Sequence, residues 1–263
     1  MIAHEFIALS LEKKIKLETL HLEYITPFNA AQWNVFGNAL AQCSSLTSFK
    51  ISGAEVLSHE DWLYLGKSFA RNKNLKRLDL SSHKLGHSST ETFKAIQHLL
   101  EQCPTLMSLD LDKNDLHELF PKDKHADRGK LSSFQNMLAS CPNLKELSLK
   151  NNHLSRLYYG YCLSLFRPSP WSAFTKAIAQ SNTIQSLDCD DFGGERGNAI
   201  KAILARNSQQ LKSKRMLLVE NAQSSLQERL SDESKCPSNF PLAEAIPILS
   251  TVRTRNHPPH RLI

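Results

Sequence analysis

The sequence lacks the long apolar segments that mark membrane proteins and secretory precursors. None of its apolar runs reaches the roughly 18 residues that a membrane-spanning helix needs, so we expect no membrane span. The N-terminal stretch MIAHEFIALSLEKK has no basic region followed by a long apolar core. We therefore expect no cleaved signal peptide.

Motifs for metal and nucleotide chemistry are also missing. The six cysteines never form a C-x-x-C pair, which argues against a structural zinc site. The glycine-rich stretch GGERG (residues 193–197) lacks the Lys-Ser/Thr of a phosphate-binding loop. The 11 histidines are scattered, and no Ser/His/Asp set stands out. We expect no metal, no cofactor and no enzymatic activity.

Composition leaves a wide range of globular proteins open. Of the 263 residues, 41% are hydrophobic and 22% are charged, which suits one large domain or two small ones. The formal net charge of +6 permits contact with nucleic acid or anionic lipid without indicating either.

An internal repeat dominates the chain. The segment LKRLDLSSHKL, residues 75–85, alternates apolar and polar side chains in its centre, as a strand with one buried face does. Six related segments occur at spacings of 27 to 40 residues, the last of them faint because Lys214 takes an apolar slot. They begin at Leu17, Leu46, Leu106, Leu144, Ile184 and Leu211.

Two copies, LMSLDLDKNDL and LKELSLKNNHL, match the pattern L-x-x-L-x-L-x-x-N-x-L, with Asn114 and Asn152 in the Asn slot. This pattern resembles the leucine-rich repeat. The resemblance implies that the leucines fill a stacked core and that the Asn side chains satisfy buried backbone groups. Because other copies carry Ile25, Ala54, His83 or Phe192 in that slot, we expect an incomplete hydrogen-bond ladder.

The segments between the strands have apolar residues at helical spacing, for example WLYLGKSFARN and FKAIQHLLEQC. Strand plus helix resembles the ribonuclease-inhibitor-like class of leucine-rich repeats, and the resemblance covers residues 11–212. It implies an α/β solenoid, a horseshoe or arc with a parallel concave sheet and convex helices, in about six to seven repeats. We assign an N-terminal cap (1–16), the solenoid (17–211), a C-terminal capping helix (212–235) and a tail, flexible or docked (236–263).

Cysteines recur in register with the repeats. Cys43, Cys103 and Cys141 each precede the first leucine of a repeat by three residues, where Ser208 stands in the last copy. We interpret them as small buried side chains at the helix-to-strand corner, in preference to disulfides or metal ligands. That interpretation favours a reducing intracellular environment. Cys189 occupies a leucine slot, so we expect its thiol to be buried and inert.

The residues between the leucines should face the concave surface. They include seven carboxylates and three cations, and this acidic excess suits a partner with a basic protein surface better than nucleic acid. A solvated face that binds nothing is the alternative. Paired aspartates two repeats apart are too distant for one metal ion. The candidate residues are His21, Glu23, Lys50, Arg77, Asp79, Asp110, Asp112, Glu146, Lys150, Asp188 and Asp190.

Two repeats carry insertions between strand and helix, HELFPKDKHADRGK and SRLYYGYCLSLFRPSP. They leave the solenoid at neighbouring positions, and cations beside aromatic side chains are typical of interfaces. Alternatively, the aromatic insert folds back as local packing. The candidate partner-binding residues are Lys122, Lys124, Arg128, Tyr158, Tyr159, Tyr161 and Phe166.

These features predict a non-enzymatic, monomeric protein–protein interaction module. The chain resembles stand-alone leucine-rich-repeat effectors of intracellular bacterial pathogens, which implies delivery into a host cell and a host protein as partner. The alternatives are a eukaryotic-type intracellular adaptor or inhibitor and, less in keeping with the sequence, an enzyme or a ubiquitin-ligase-associated effector.

Overall fold

The computed structural model describes residues 16–23, 28–53, 57–70, 72–119, 128–157, 170–189 and 194–231. The chain divides into two compact units, Met1–Leu211 and Lys212–Ile263. The predicted N-terminal cap, apart from Lys16, and the tail lie outside the described residues.

The described residues of the first unit form six parallel strands, in the order in which they occur along the chain. Each strand pairs in register with the same positions of the next repeat, so that Leu78 of one repeat stands beside Leu109 of the next. Because equivalent positions of successive repeats pair with each other, their side chains form one row across the sheet. The strands are β1 (Thr19–Glu23), β2 (Ser48–Ser52), β3 (Arg77–Asp79), β4 (Ser108–Asp110), β5 (Glu146–Leu149) and β6 (Ser186–Cys189).

A helix follows each strand, as the apolar spacing predicts. Asn29 and Ser58 cap the first two helices through capping boxes, and Ser89 caps the third by accepting the Thr92 N–H. The helices are α1 (Ala30–Gln42), α2 (His59–Phe69), α3 (Thr90–Glu101), α4 (Arg128–Ala139), α5 (Pro170–Gln180) and α6 (Gly194–Ser231). An α/β architecture of leucine-rich-repeat type is therefore confirmed among the described residues.

The leucine slots form the core between sheet and helices. In β2 to β5 and the residues directly after them, all eight apolar slots are at most 2% exposed, among them Phe49, Leu78 and Leu109. On the end strands Leu20, Leu187 and Cys189 are only partly buried, because among the described residues each end strand pairs with another strand on one side only. The predicted burial of the Cys189 thiol is therefore only partial.

A ladder of buried side chains ties successive repeats together after the strands. The Asn114 amide donates to the Leu80 carbonyl (2.8 Å), and its oxygen accepts the His83 N–H (2.8 Å). Asn152 repeats this pattern one repeat later, with its amide bonded to the Leu111 carbonyl. In the earlier repeat, His83 continues the ladder, because its Nε2–H donates to the Ile51 carbonyl (2.9 Å). The expected gap at His83 is therefore absent.

The backbone beside the ladder has the same unusual geometry in four repeats. Gly53, Ser82, Lys113 and Asn151, which precede the Asn slot, all have φ between 56° and 64°. Non-glycine residues rarely adopt this left-handed conformation. Its recurrence shows that the ladder imposes one turn geometry on different sequences.

The faint last repeat does not exist as a strand. The residues from Leu211 onward continue α6, and Asn207, not Ser208, is the buried corner residue. Its amide donates to the Ser181 carbonyl (2.9 Å), as the Asn72 amide does to Cys43 (3.0 Å). Long unbranched side chains such as Lys214 and Met216 favour helix over strand, and the helical residues 212–231 fall within the range assigned to a C-terminal capping helix.

Residues 194–211 of α6 belong to the first unit and residues 212–231 to the second. In the second unit the helix exposes several large apolar side chains, including Met216, Leu217 and Leu218. Within the described part of the chain, no helix combines the length and apolarity needed to cross a bilayer.

The three cysteines in register are buried free thiols. Cys43, Cys103 and Cys141 are at most 4% exposed, which confirms the predicted burial. Burial raises the pKa of the Cys103 and Cys141 thiols to about 12 and also raises that of Cys43. These thiols are therefore protonated at neutral pH and unreactive as nucleophiles.

Candidate partner-binding surface

The face of the sheet opposite the helices, here called the outer face, carries the predicted site residues. His21, Glu23, Arg77, Glu146, Lys150 and Asp188 are exposed there, whereas Lys50, Asp79, Asp110 and Asp112 are half-buried. Their placement follows from the strand alternation, which turns the leucines inward. Asp190 lies outside the described residues, as do all of the predicted insert residues except Arg128, whose backbone begins α4 and whose side chain is not described.

Two of the three outer-face cations already have partners. The Lys50 ammonium lies 2.8 Å from Glu23 and 3.5 Å from Asp79, and Lys150 pairs with Asp188. The hydrogen bond with Lys50 lowers the pKa of Glu23, and the same bond raises the pKa of Lys50. These exposed pairs contribute little stability, but they neutralise both ends of the face.

Three carboxylates lie close together in the middle of the outer face, and one of them, Asp79, shares the Lys50 ammonium with Glu23. Asp79, Asp110 and Asp112 form what we call the acidic cluster. Asp79 and Asp110 are register partners on β3 and β4, and neighbouring strands lie about 4.8 Å apart. Among the residues that the structure describes, neither Asp110 nor Asp112 has an ion-pair partner. The cluster is thus a concentrated negative charge on a rigid sheet.

Backbone hydrogen bonds hold the cluster in place. Asp79 and Asp110 each accept the N–H two residues further on, at 2.9 Å from Ser81 and 2.8 Å from Asp112. Asp112 in turn accepts the Ser148 hydroxyl (2.6 Å) and the Lys150 N–H (2.7 Å). Each carboxylate is therefore fixed by donors, and it cannot turn away from its like-charged neighbours without breaking these bonds.

Burial raises the pKa of the Asp110 carboxyl to about 6, and the charges of Asp79 and Asp112 add to the effect. The folded state thus binds the Asp110 proton more tightly than the unfolded chain does. Its contribution to stability is therefore greatest below about pH 4 and is lost as the pH rises through 6. At neutral pH the ionised carboxylate destabilises the fold.

Replacing Asp110 with Asn should consequently stabilise the protein at pH 7, by about 1 to 2 kcal/mol in the free energy of unfolding, because the carboxyl is partly exposed and water screens part of the repulsion. The amide oxygen can still accept the Asp112 N–H, so the turn survives. Urea unfolding at pH 7 and pH 4 measures the effect, which should shrink at the lower pH. The matched control is Asp188→Asn, which removes an exposed ion pair and should destabilise slightly. A destabilised Asp110→Asn protein at pH 7 would contradict the expected crowding.

A second feature of the outer face was not found from the sequence. A groove of about 320 Å³ lies at the N-terminal ends of the middle strands, and we call it the edge groove. The prediction from the sequence used only the alternating strand positions, and it left out the residue directly after the first leucine of each repeat. A lysine occupies that position in two repeats, and this repeated positive charge could have indicated a basic surface there. The lining residues are Thr47, Lys76, Arg77, Met107, Ser108, Lys145 and Glu146.

Nothing in the described part of the chain forms a metal centre. There, no group of three or more His, Cys, Asp and Glu side chains is placed to hold an ion. The acidic cluster offers charge and hydrogen-bond acceptors, which suit ammonium and guanidinium groups.

No protein-family model matches the sequence, and no curated protein is significantly similar to it. Similar solved structures include the tropomodulin C-terminal domain of Caenorhabditis elegans, at 13% identity and a TM-score of 0.43, covering 82% of this chain and 99% of that one. Actin-binding site 2 of leiomodin-1 is 12% identical, with a TM-score of 0.43 and coverage of 84% and 99%. The leucine-rich repeat-containing protein LegL7 of Legionella pneumophila is 16% identical, with a TM-score of 0.41 and coverage of 77% and 68%. Similarities at this level carry no information on what this chain binds.

Proposed function

We propose that the protein is a non-enzymatic protein-binding module whose outer face holds a basic segment of its partner over the acidic cluster. One observation carries the proposal: Asp79, Asp110 and Asp112 crowd on the face, and neither Asp110 nor Asp112 has an ion-pair partner among the described residues. A surface that keeps like charges together at a cost in stability is a candidate functional site.

The physical gain on binding follows from the same arrangement. A lysine or arginine of the partner, placed between Asp79 and Asp110, replaces repulsion between carboxylates with attraction. The sheet is already ordered, so little conformational entropy is lost on binding. Opposite charges on the two surfaces also speed the encounter at low salt.

Removing the two register-paired charges should weaken this interaction. We expect the double variant Asp79→Asn/Asp110→Asn to bind the partner at least about tenfold more weakly, while both amides keep their hydrogen bonds to Ser81 and Asp112. The partner is first captured from host-cell lysate and identified, and the purified pair is then titrated by calorimetry. The wild-type affinity should also fall below pH 6, because Asp110 becomes protonated.

The matched control is Glu60→Gln/Glu101→Gln, which changes the net charge equally on exposed helical positions. Its affinity should stay within about twofold of wild type, apart from the effect of net charge on the encounter rate. If both double variants lose affinity alike, binding depends on overall charge and the proposal is wrong. Undiminished binding by the outer-face variant would redirect attention to the insert residues, such as Tyr158 and Tyr161.

We further propose that the module works in a reducing cytosol, as an effector delivered into a host cell, and acts there as a monomer. The unpaired, buried thiols of Cys43, Cys103 and Cys141 support the reducing environment. The effector role rests on the sequence resemblance alone. A eukaryotic-type adaptor or inhibitor would use the same surface.

A further inference from the structure

The edge groove forms because the side chains in one row of the sheet differ in length. Arg77, Ser108 and Glu146 are register partners on β3, β4 and β5, so the small serine stands between two long side chains. All three residues line the groove. Met107, which is partly buried, supplies an apolar patch beside it.

The charge of the edge groove is opposite to that of the acidic cluster. Lys76, Arg77 and Lys145 line it, against the single carboxylate of Glu146. In the part of the chain that the structure describes, none of these three cations forms an ion pair, in contrast to Lys50 and Lys150. The groove therefore offers positive charge that the protein itself does not use.

We propose that the edge groove binds an acidic peptide segment that places an apolar side chain against Met107 and its carboxylates beside Lys76, Arg77 and Lys145. Charge complementarity identifies the occupant as anionic, and Met107 requires an apolar group between the charges. This site is separate from the acidic cluster, and its occupant has the opposite charge, so it goes beyond the function proposed above.

A nucleic acid fits this surface less well than a peptide. Arg77 and Asp79 are two residues apart on β3, which places the acidic cluster only about 7 Å from the groove. A phosphate backbone carries charge at every step and would be repelled there. A peptide can carry its carboxylates on one short segment alone.

A labelled peptide, fluorescein-GEELEEG, provides the test by fluorescence anisotropy with the full-length chain at low salt. We expect binding that weakens at least about tenfold in Lys76→Glu/Lys145→Glu. The control Lys94→Glu/Lys176→Glu makes the same charge change on α3 and α5, where both lysines are exposed, and should stay within about twofold. Met107→Ala should weaken GEELEEG several-fold but leave GEEAEEG unchanged, because only the leucine contacts Met107.

Three results would overturn the inference. They are no binding of GEELEEG to the wild-type chain, equal losses in the two lysine variants, and equally tight binding of a labelled oligothymidine that depends on the same lysines. Thermal melting of each variant verifies that it is folded. The acidic-cluster variant Asp79→Asn/Asp110→Asn should bind GEELEEG at least as tightly as the wild type, because it removes negative charge close to the groove. Failure at the groove is therefore distinguishable from failure of the proposed function.

Discussion

Replacing Asn114 with Ala should lower the free energy of unfolding by about 3 to 5 kcal/mol, because it leaves several buried backbone groups without partners. Asn114 is fully buried, and its side chain serves the Leu80 carbonyl and the N–H groups of His83 and Leu85. Water cannot replace these bonds without entering the core. Urea unfolding followed by tryptophan fluorescence measures the loss, since Trp33 and Trp62 are both buried in the same unit.

The control is Asn136→Ala, which removes the same side chain from an exposed position on α4. It should change stability by no more than about 0.5 kcal/mol. If Asn114→Ala costs less than about 1 kcal/mol, then the ladder is not what holds neighbouring repeats together at their turns.

Replacing Leu78 with Ala should cost about 2 to 5 kcal/mol, since the side chain is 1% exposed and its removal leaves a cavity between the sheet and the helices. The same unfolding experiment measures it. Leu217→Ala is the matched control, because Leu217 is 57% exposed and its truncation should be nearly neutral. Equal effects of the two substitutions would contradict the register in which Leu78 points inward and Asp79 outward.

The register itself could be predicted because it depends on a local pattern repeated many times. Each copy places Leu78 or its equivalent on one face of the strand and Asp79 or its equivalent on the other. Parallel pairing then sets equivalent positions side by side, and Asp79 meets Asp110 as a consequence. Repetition along the chain therefore determines which residues form each row of the outer face.

The continuity of the last helix through Leu211 could not be predicted in the same way. The segment after Leu211 resembles a repeat in its leucine spacing, yet it is helical. A strand there would have needed apolar side chains on one face to cover the core, and Lys214 breaks that face. At such a position helix propensity favours a helix, whereas the weakened apolar pattern favours a strand. The spacing of leucines alone does not show which of the two is more stable.

The pairing of charges across the outer face could not be predicted from the sequence either. The residue types at the outer-face positions show an acidic excess. They do not show that Lys50 neutralises Glu23 and that Lys150 neutralises Asp188. The lengths and directions of side chains decide which charges meet, and these depend on neighbours from other repeats. The structure therefore concentrates the acidity on three central carboxylates and adds a basic groove beside them.

The crowding of Asp79, Asp110 and Asp112 underlies the proposed function, and a carboxyl ¹³C NMR titration tests it most directly. In the wild-type chain Asp110 should titrate near pH 6. In Asp79→Asn its pKa should fall but stay above the ordinary value of 3.8, because burial, the larger cause, remains. An Asp110 that titrates near 3.8 in both proteins would show that the outer face holds no crowded carboxylates, and the proposed binding site would have to be abandoned.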